Sequence, residues 1–348
     1  MKNGFTTGTC AQAAAKGACL MLANQETVEE VEVKTPSGVK LNIGLLDQQI
    51  GIDFAECAVI KDSGEDPDVT NGAKVFVRVR LSEKEGITIN GAEGVGKITK
   101  PGLAVRVGEW AINPIPRKVI LGEVSRFLPK DKGLEVTISV PGGEELAKRT
   151  YNPRLGVIGG ISIIGTTGIV EPKSVEAYKA SLALQLDVLK AQGYHKAVFV
   201  LGYVGDRFCK EALKLKEDSI IKIGDHVGFM LDECARKKIK EVILIGHIGK
   251  LIKVANGQFN THYSFGDNRM DSIARYAKLC GANKKIIGRI LKETTTEATI
   301  VILENAGLTR IFEKIAQGVS AKAEEFVNNK VKIDCTILSL EGKVLGNS

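Results

Sequence analysis

The stretch "AVFVLGYVGD", residues 197–206, decides the fold class predicted for the second half of the chain. It begins with an uninterrupted apolar run, and a Gly-aromatic-aliphatic-Gly turn follows directly. The stretch "EVILIGHIGK", residues 241–250, repeats this arrangement, and helical patterns are predicted near residues 208–215 and 227–238. Strands that are apolar throughout and that alternate with helices indicate a parallel sheet covered on both faces.

The first half of the chain has a different pattern. Segments such as "AKVFVRVRL", residues 73–81, alternate apolar and polar side chains between turn residues. This period of two predicts a mostly antiparallel sheet, and an alanine-rich helix from Thr9 to Ala23 joins it, with Thr9 as its N-cap. The predicted fold is therefore α/β in two domains. Residues 1–150 form an α+β domain, and residues 151–348 form a domain with a parallel sheet covered by helices.

Composition narrows the class of protein. The 348 residues suffice for two domains with cores of their own. Seven cysteines are scattered without a C-x-x-C pair, which indicates a cytoplasmic protein with neither a disulfide framework nor a metal site. No apolar stretch reaches the roughly 20 residues that cross a bilayer, so no membrane contact is expected. The net charge of +7 is spread out, which argues against nucleic acid and suits a small polyanionic substrate. Homo-oligomer formation stays open.

The stretch "NPRLGVIGGISIIGTTGIVEP", residues 152–172, is rich in glycine. We expect "LGVIGGISII" to be a buried strand of the parallel sheet and "GTTGIVEP" to lie at its carboxyl edge, before a helix. Backbone N–H groups, two hydroxyls and the N-terminus of that helix favour an anion or polar ligand there. The alternative is a strand-to-helix turn without a ligand. With the turns at 202–205 and 246–249, three glycine loops are predicted to meet at one sheet edge.

The motif "FTTGTC", residues 5–10, lies ahead of the first predicted helix and offers a similar device. Its hydroxyls on Thr6, Thr7 and Thr9 are candidates for binding a polar ligand. Cys10 falls in the first helical turn, where the pKa of a thiol is often lowered. No histidine partner is evident in the sequence, so we interpret Cys10 as a packed thiol rather than a nucleophile.

The motif "GAEGVGKIT", residues 91–99, is close to a P-loop in its spacing. Ile98 occupies the position at which a P-loop needs a hydroxyl, and the following "KPG" does not begin a helix. We interpret the motif as a flexible loop whose Glu93 and Lys97 contact the substrate. Nucleotide binding is the weaker alternative.

His247 and His262 are the candidate acid/base residues. Both lie in "GHIGKLIKVANGQFNTHYSFGD", residues 246–267, which follows the second apolar strand. A single histidine in such a place is more often structural, but as a pair with Asp267 they are predicted to serve in acid/base chemistry or carboxylate binding. The polar residues expected to act beside them are Lys250, Asn260 and Thr261.

Six strings spread over residues 4 to about 275 carry a family resemblance. They are "GFTTGTCAQAAAKGA", "DSGEDPDVTNGA", "GAEGVGKITKPGL", "AINPIPR", "NPRLGVIGGISIIGTTGIVEP" and "GHIGKLIKVANGQFNTH". In chain order they resemble the CbiD family, the cobalt-precorrin-5B C-1-methyltransferases of anaerobic cobalamin biosynthesis.

This resemblance implies that S-adenosylmethionine methylates carbon 1 of a corrin precursor, with cobalt present only as part of that substrate. The residues predicted to hold the donor are Gly165, Thr166, Thr167, Gly168, Glu171, Gly202 and Gly205. The residues predicted to contact the corrinoid are Thr6, Thr7, Thr9, Glu93, Lys97, Lys250, Asn260 and Thr261. The predicted catalytic residues are His247, His262 and Asp267. Two alternatives are a non-catalytic corrinoid carrier and a nucleotide-dependent transferase.

Overall fold

The computed structural model describes residues 1–348 and contains two compact units, Met1–Val175 and Glu176–Ser348. Both combine strands with helices, which confirms the α/β class. The domain boundary predicted from the sequence lies after residue 150, whereas in the structure residues 151–175 belong to the first unit. None of the helices combines the length and the apolar character that crossing a membrane requires.

The first unit contains the elements β1 (Gly4–Phe5), α1 (Thr7–Asn24), β2 (Glu30–Lys34), β3 (Lys40–Gly44), β4 (Leu46–Ile50), β5 (Phe54–Ile60), β6 (Lys74–Ser82), β7 (Gly86–Gly91), β8 (Gly94–Val95), β9 (Lys97–Ile98), α2 (Pro114–Val124), β10 (Gly133–Ser139), α3 (Gly143–Ala147), α4 (Asn152–Leu155), β11 (Val157–Ile158), β12 (Gly160–Ile161) and β13 (Ile169–Val170). Five strands form a sheet in the order β4-β5-β6-β10-β7, which is antiparallel except for the β10–β7 pair.

Helix α1 packs closely against this sheet because its side chains are small. A Cβ added to Gly17 would lie 2.3 Å from Cδ1 of Leu45 and 3.2 Å from Sγ of Cys57 in β5, so a larger residue there would displace the Leu45 side chain. The helix was predicted correctly, but its N-cap was not. Thr6 accepts the N–H of Thr9 at 3.2 Å and is the cap, while Thr9 is already helical. The hydroxyl of Thr9 donates instead to the carbonyl of Gly168 at 2.8 Å.

Gly94 and Gly160 bring two segments of the first unit into backbone contact. They stand opposite each other where β8 pairs with β12, and β9 pairs with β11. A Cβ on Gly160 would lie 2.2 Å from the carbonyl group of Gly94. The single buried strand predicted for "LGVIGGISII" is therefore wrong. Gly156 and Gly159 have φ values of 75° and 85°, which interrupt a strand, so the segment forms two short ones.

The second unit contains the elements α5 (Val175–Ala191), β14 (Lys196–Val200), α6 (Tyr203–Glu211), β15 (Ile220–Lys222), α7 (Val227–Lys237), β16 (Glu241–His247), α8 (Ile248–Ala255), α9 (Arg269–Leu279), α10 (Lys284–Ile290), α11 (Thr296–Asn305), α12 (Arg310–Phe326), β17 (Lys332–Leu338) and β18 (Val344–Asn347). Its sheet has the order β15-β14-β16-β17-β18. The first four strands are parallel, and β18 is an antiparallel edge strand.

Helices cover both faces of this sheet. Phe199 and Leu244 point to one face and pack with α5, α7, α8, α9 and α12. Val200 and Ile245 point to the other face and pack with Cys209 of α6. The parallel, doubly covered sheet predicted from the apolar runs is confirmed, because side chains on both faces of each central strand are buried.

The substitution Gly160→Ala is expected to lower the free energy of unfolding by about 3 kcal/mol, because its methyl group would overlap the carbonyl of Gly94. Gly122→Ala is the matched control. Gly122 lies in α2 with nothing within 4 Å of an added Cβ, and alanine is the better helix former. Urea unfolding followed by circular dichroism measures both variants. Equal stability of the two would contradict the steric explanation.

Candidate functional site

A cleft of about 370 Å³ lies in the second unit, at the carboxyl ends of β15 and β16. Strand β14 lies between these two strands. The chain runs from β14 to β15 on one side of it and then to β16 on the other side. In open α/β sheets such a reversal of strand order opens a crevice that binds ligands. The lining residues are Asp225, His247, Gly249, Lys250, Lys253, Thr261, His262, Tyr263, Asp267 and Arg269. The structure thus brings together five side chains that the sequence analysis singled out.

His247 uses both ring nitrogens inside the protein. Its Nδ1 accepts the backbone N–H of Gly249 at 3.2 Å, so the side chain caps α8. Its Nε2 lies 2.8 Å from Oε1 of Glu297, and because Nδ1 is an acceptor, Nε2 donates in this contact. Glu297 also accepts the N–H of Leu340 at 2.9 Å. This geometry fits a residue that positions α8 and α11 better than it fits a general base.

His262 has one nitrogen available. Its Nδ1 lies 2.7 Å from Oγ of Ser264 and accepts the backbone N–H of the same residue at 3.3 Å, while its Nε2 has no hydrogen-bond partner in the protein. Its backbone N–H donates to Oδ1 of Asn260 at 3.1 Å. With Nδ1 as an acceptor, the proton of the neutral ring lies on Nε2. A general base needs the other tautomer, in which Nδ1–H donates to the hydroxyl of Ser264 in place of the backbone contact and Nε2 presents a lone pair. Of the three predicted acid/base residues, His262 fits the role best.

Asp267 is paired with Arg269 through two hydrogen bonds. Nε of Arg269 donates to Oδ1 at 2.7 Å, and Nη2 donates to Oδ2 at 2.6 Å. These hydrogen bonds lower the pKa of Asp267 to about 2. A carboxylate with so low a pKa is a weak proton acceptor, which disfavours the base role predicted for it.

Asp225, which sequence reasoning missed, follows β15. Its Oδ1 accepts the hydroxyl of Thr261 at 2.6 Å and Nζ of Lys250 at 3.1 Å, while Oδ2 has no partner. Burial acts to raise its pKa, but the hydrogen bonds from Thr261 and Lys250 outweigh it and hold the pKa below the usual range. Lys250 and Thr261, predicted as substrate contacts, are thus engaged with Asp225. One signal was available, since an acidic residue about 20 positions after a glycine turn is typical of nucleotide-binding sheets.

Lys253 was also missed, and it holds the loop that carries His262. Its side chain is buried, with 4% of the residue exposed. Nζ donates to the carbonyls of Thr261 and Gly266, both at 3.1 Å. Because these carbonyls lie at the two ends of the loop, one ammonium group fixes the position of the whole loop against α8.

Gly202 and Gly205, predicted to bind the cofactor, differ in their surroundings. Gly202 has φ 121° and ψ −174°, a conformation that only glycine adopts readily, and an added Cβ would meet nothing within 4 Å. A Cβ on Gly205 would lie 2.7 Å from the carbonyl oxygen of Ile245. Gly205 therefore serves the packing of α6 on β16, and only Gly202 faces open space.

The threonine-rich motifs of the first unit hydrogen-bond to each other. The N–H of Thr6 donates to the carbonyl of Gly168 at 3.0 Å, and Thr9 donates to the same oxygen. The hydroxyl of Thr7 accepts the N–H of Ile164 at 2.9 Å. All three threonines are buried. Their hydroxyls stabilise the fold of this unit, which disfavours the substrate contacts predicted for them.

The loop at residues 165–168 owes its glycines to the same packing. A Cβ on Gly165 would lie 2.2 Å from Oγ1 of Thr6. The hydroxyl of Thr167 donates to the backbone carbonyl of Ile169 at 3.0 Å. Thr166 and Glu171 are exposed. Donor binding by this loop stays a prediction, and close packing accounts for its bare backbone.

The segment that resembles a P-loop forms the short strands β8 and β9 and does not lead into a helix, since α2 begins only at Pro114. Nucleotide binding there lacks the helix N-terminus that a P-loop uses. Lys97 is exposed, and its Nζ lies 4.4 Å from the centre of the Trp110 ring. Glu93 is also exposed, so both residues remain candidates for contact with a substrate.

The CbiD family model matches residues 1–172, and the model described as CbiD, C-terminal domain, matches residues 260–348. This chain belongs to the CbiD family. A protein of Thermoanaerobacter sp. (strain X514) named cobalt-precorrin-5B C(1)-methyltransferase is 45% identical over 351 residues, covering 100% of this chain and 95% of its own length. A protein of the same name from Alkaliphilus metalliredigens (strain QYMF) is 41% identical over 347 residues, covering 100% and 92%.

The crystal structure of cobalamin biosynthesis protein (cbiD) from Archaeoglobus fulgidus is 30% identical and covers 80% of this chain and 84% of its own, with a TM-score of 0.40. The C-terminal family model covers only part of the cleft, and the other model ends before it. Thr261 to Arg269 lie in the C-terminal match, whereas Asp225 to Lys253 lie between the two matched regions.

Cys10 packs in the core of the first unit and is fully buried. Burial raises the pKa of its thiol to about 12, so the thiolate is not populated at neutral pH. The interpretation of Cys10 as a packed thiol is confirmed. All seven cysteines are unpaired, and six of them are buried.

Cys280 is the one partly exposed cysteine, so Ellman's reagent is expected to titrate one thiol rapidly in the native protein. All seven should react after unfolding in guanidinium chloride. The substitution Cys280→Ser should abolish the rapid phase. A rapid phase that instead disappears in Cys10→Ser would show that Cys10 is accessible and reactive.

Proposed function

We propose that this chain transfers the methyl group of S-adenosylmethionine to carbon 1 of cobalt-precorrin-5B, giving cobalt-precorrin-6A in anaerobic cobalamin biosynthesis. The observation that carries the proposal is its likeness to a protein of that name, which at 45% identity extends over 100% of this chain. The cleft of the second unit offers a place for a small ligand of this reaction. We place the protein in the cytoplasm, and the seven unpaired cysteines support this location.

In this reaction the protein contributes mainly by positioning the donor and the acceptor, and less by activating either of them. A ring carbon attacks the methyl carbon, the bond from methyl to sulfur breaks, and its electron pair stays on sulfur as S-adenosylhomocysteine leaves. The sulfonium is already a good leaving group, so the protein must hold the three atoms in line. Such orientation supplies roughly 7 to 11 kcal/mol. No covalent intermediate on the protein is needed, in keeping with the buried thiol of Cys10.

We assign to His262 the removal of a proton from the ring system of the acceptor. Its Nε2 is free of internal partners, and it lines the cleft. His247 is engaged at both nitrogens, and Asp267 is held ionised by Arg269. For the acceptor, whose carboxylates favour cations, Lys97 remains the candidate contact in the first unit.

The reaction is tested by incubating the purified chain with cobalt-precorrin-5B and S-adenosylmethionine labelled in its methyl group. One label per corrinoid is expected in the product, together with stoichiometric S-adenosylhomocysteine. A carrier would retain the pigment and leave the donor unconsumed. A nucleotide-dependent transferase would need ATP and would lose ATP binding in Lys97→Ala. Either result would replace the proposed function.

The substitution His262→Gln is expected to lower kcat at least about 100-fold, the usual size of a general-base contribution, with little change in the KM of the donor. His195→Gln is the control, because His195 is exposed and does not line the cleft. An unchanged kcat in His262→Gln would remove this residue from the chemistry.

A further inference from the structure

We infer that the cleft of the second unit holds the adenosyl donor, with Asp225 accepting hydrogen bonds from the ribose hydroxyls. The inference rests on the proposed function, since it assigns one of the two ligands of that reaction to one place. It also differs from the prediction that the loop at residues 165–168 holds the donor, because that loop uses its two glycines and the hydroxyl of Thr167 for contacts within the first unit.

The order of the strands is the first support. β14, β15 and β16 are the first three strands of the unit in chain order, and β14 lies between the other two. Dinucleotide-binding sheets place a glycine turn after their first strand and, about 20 residues further on, an acidic residue that binds the ribose hydroxyls. Gly202 and Asp225 occupy these two positions. Asp225 lines the cleft, whereas Gly202 forms the turn after β14 and is not one of the lining residues.

The second support is the state of the Asp225 carboxylate. Its Oδ1 is fixed by Thr261 and Lys250, whereas Oδ2 has no partner and the side chain is 27% exposed. One oxygen therefore orients the group and the other is left for a ligand. Hydrogen bonds from hydroxyls to an ionised carboxylate are among the stronger ones, and orienting partners of this kind reduce the entropy lost on binding.

The third support is the balance of charge and size. Lys250 and Arg269 already face Asp225 and Asp267. Lys253 adds one positive charge that no carboxylate pairs, and its Nζ is occupied by two carbonyls of the loop, so no cation of the cleft is left unengaged. A polycarboxylate calls for unpaired cations, whereas the donor carries a sulfonium, an amine, a carboxylate and two hydroxyls. A cleft of about 370 Å³ also has room for one nucleoside-sized molecule.

The test is calorimetric titration with S-adenosylhomocysteine and with its 2′,3′-dideoxy analogue. In Asp225→Asn we expect the affinity for S-adenosylhomocysteine to fall about 10-fold or more, as for the loss of a hydrogen bond to a charged group. The affinity for the dideoxy analogue should not change, because the partner hydroxyls are missing from it. Asp232→Asn is the control, since Asp232 is exposed on α7 and does not line the cleft.

The outcomes separate the two claims. Unchanged affinity in Asp225→Asn, or an equal loss for both ligands, would overturn the placement and leave methyl transfer intact. Failure of S-adenosylhomocysteine to bind the wild type, with and without corrinoid, would overturn the proposed function itself. Ultraviolet cross-linking of methyl-labelled S-adenosylmethionine to the wild type does not depend on any variant. Labelled peptides should come from residues 196–269, and label confined to residues 1–175 would refute the inference.

Discussion

The position of β14 between β15 and β16 is the constraint on which the site of the second unit depends. Crossovers between parallel strands are right-handed. The connection from β14 to β15 and the connection from β15 to β16 run in opposite directions across the sheet, so their helices lie on opposite faces. Helix α6 lies on one face and α7 on the other, as this rule requires. The loops at the carboxyl ends therefore diverge, and the space between them brings Asp225 and His247 to one cleft.

Helix α8 converts this crevice into an ordered site. His247, Lys250 and Lys253 follow one another at intervals of three residues, so they lie along one side of the helix. The first caps the helix, the second binds Asp225, and the third donates to two carbonyls of the loop that carries His262. A buried ammonium is costly unless its hydrogen bonds are satisfied, so loop and lysine depend on each other. Lys253 thus orders the loop from the side that faces α8, and the opposite side of the loop stays available to a ligand.

The spacing of apolar residues was enough to predict both sheets, α1 and the α/β class. Buried positions recur every two residues in a strand and about every 3.6 residues in a helix, whatever the tertiary contacts are. The failures lie where distant segments meet. Thr6, Thr7 and Thr9 are equally good caps in sequence, and only the carbonyl of Gly168 distinguishes them. Asp225 has no periodic signal, and its partner Thr261 is far away in the chain. The chemical roles of the site residues stay predictions, while the family is established.

Glycine content by itself carried little information about ligands, because glycine serves two opposite purposes in this chain. Gly94 and Gly160 are bare so that two backbones can touch, and any Cβ would collide with a carbonyl group. Gly202 is bare at a turn where a Cβ would touch nothing, and its backbone conformation still requires glycine. Gly202 shares positive φ and open surroundings with turn glycines such as Gly86 and Gly193, so this combination marks a turn and does not by itself identify a ligand site. The dense glycines of residues 152–172 are explained by the fold they allow.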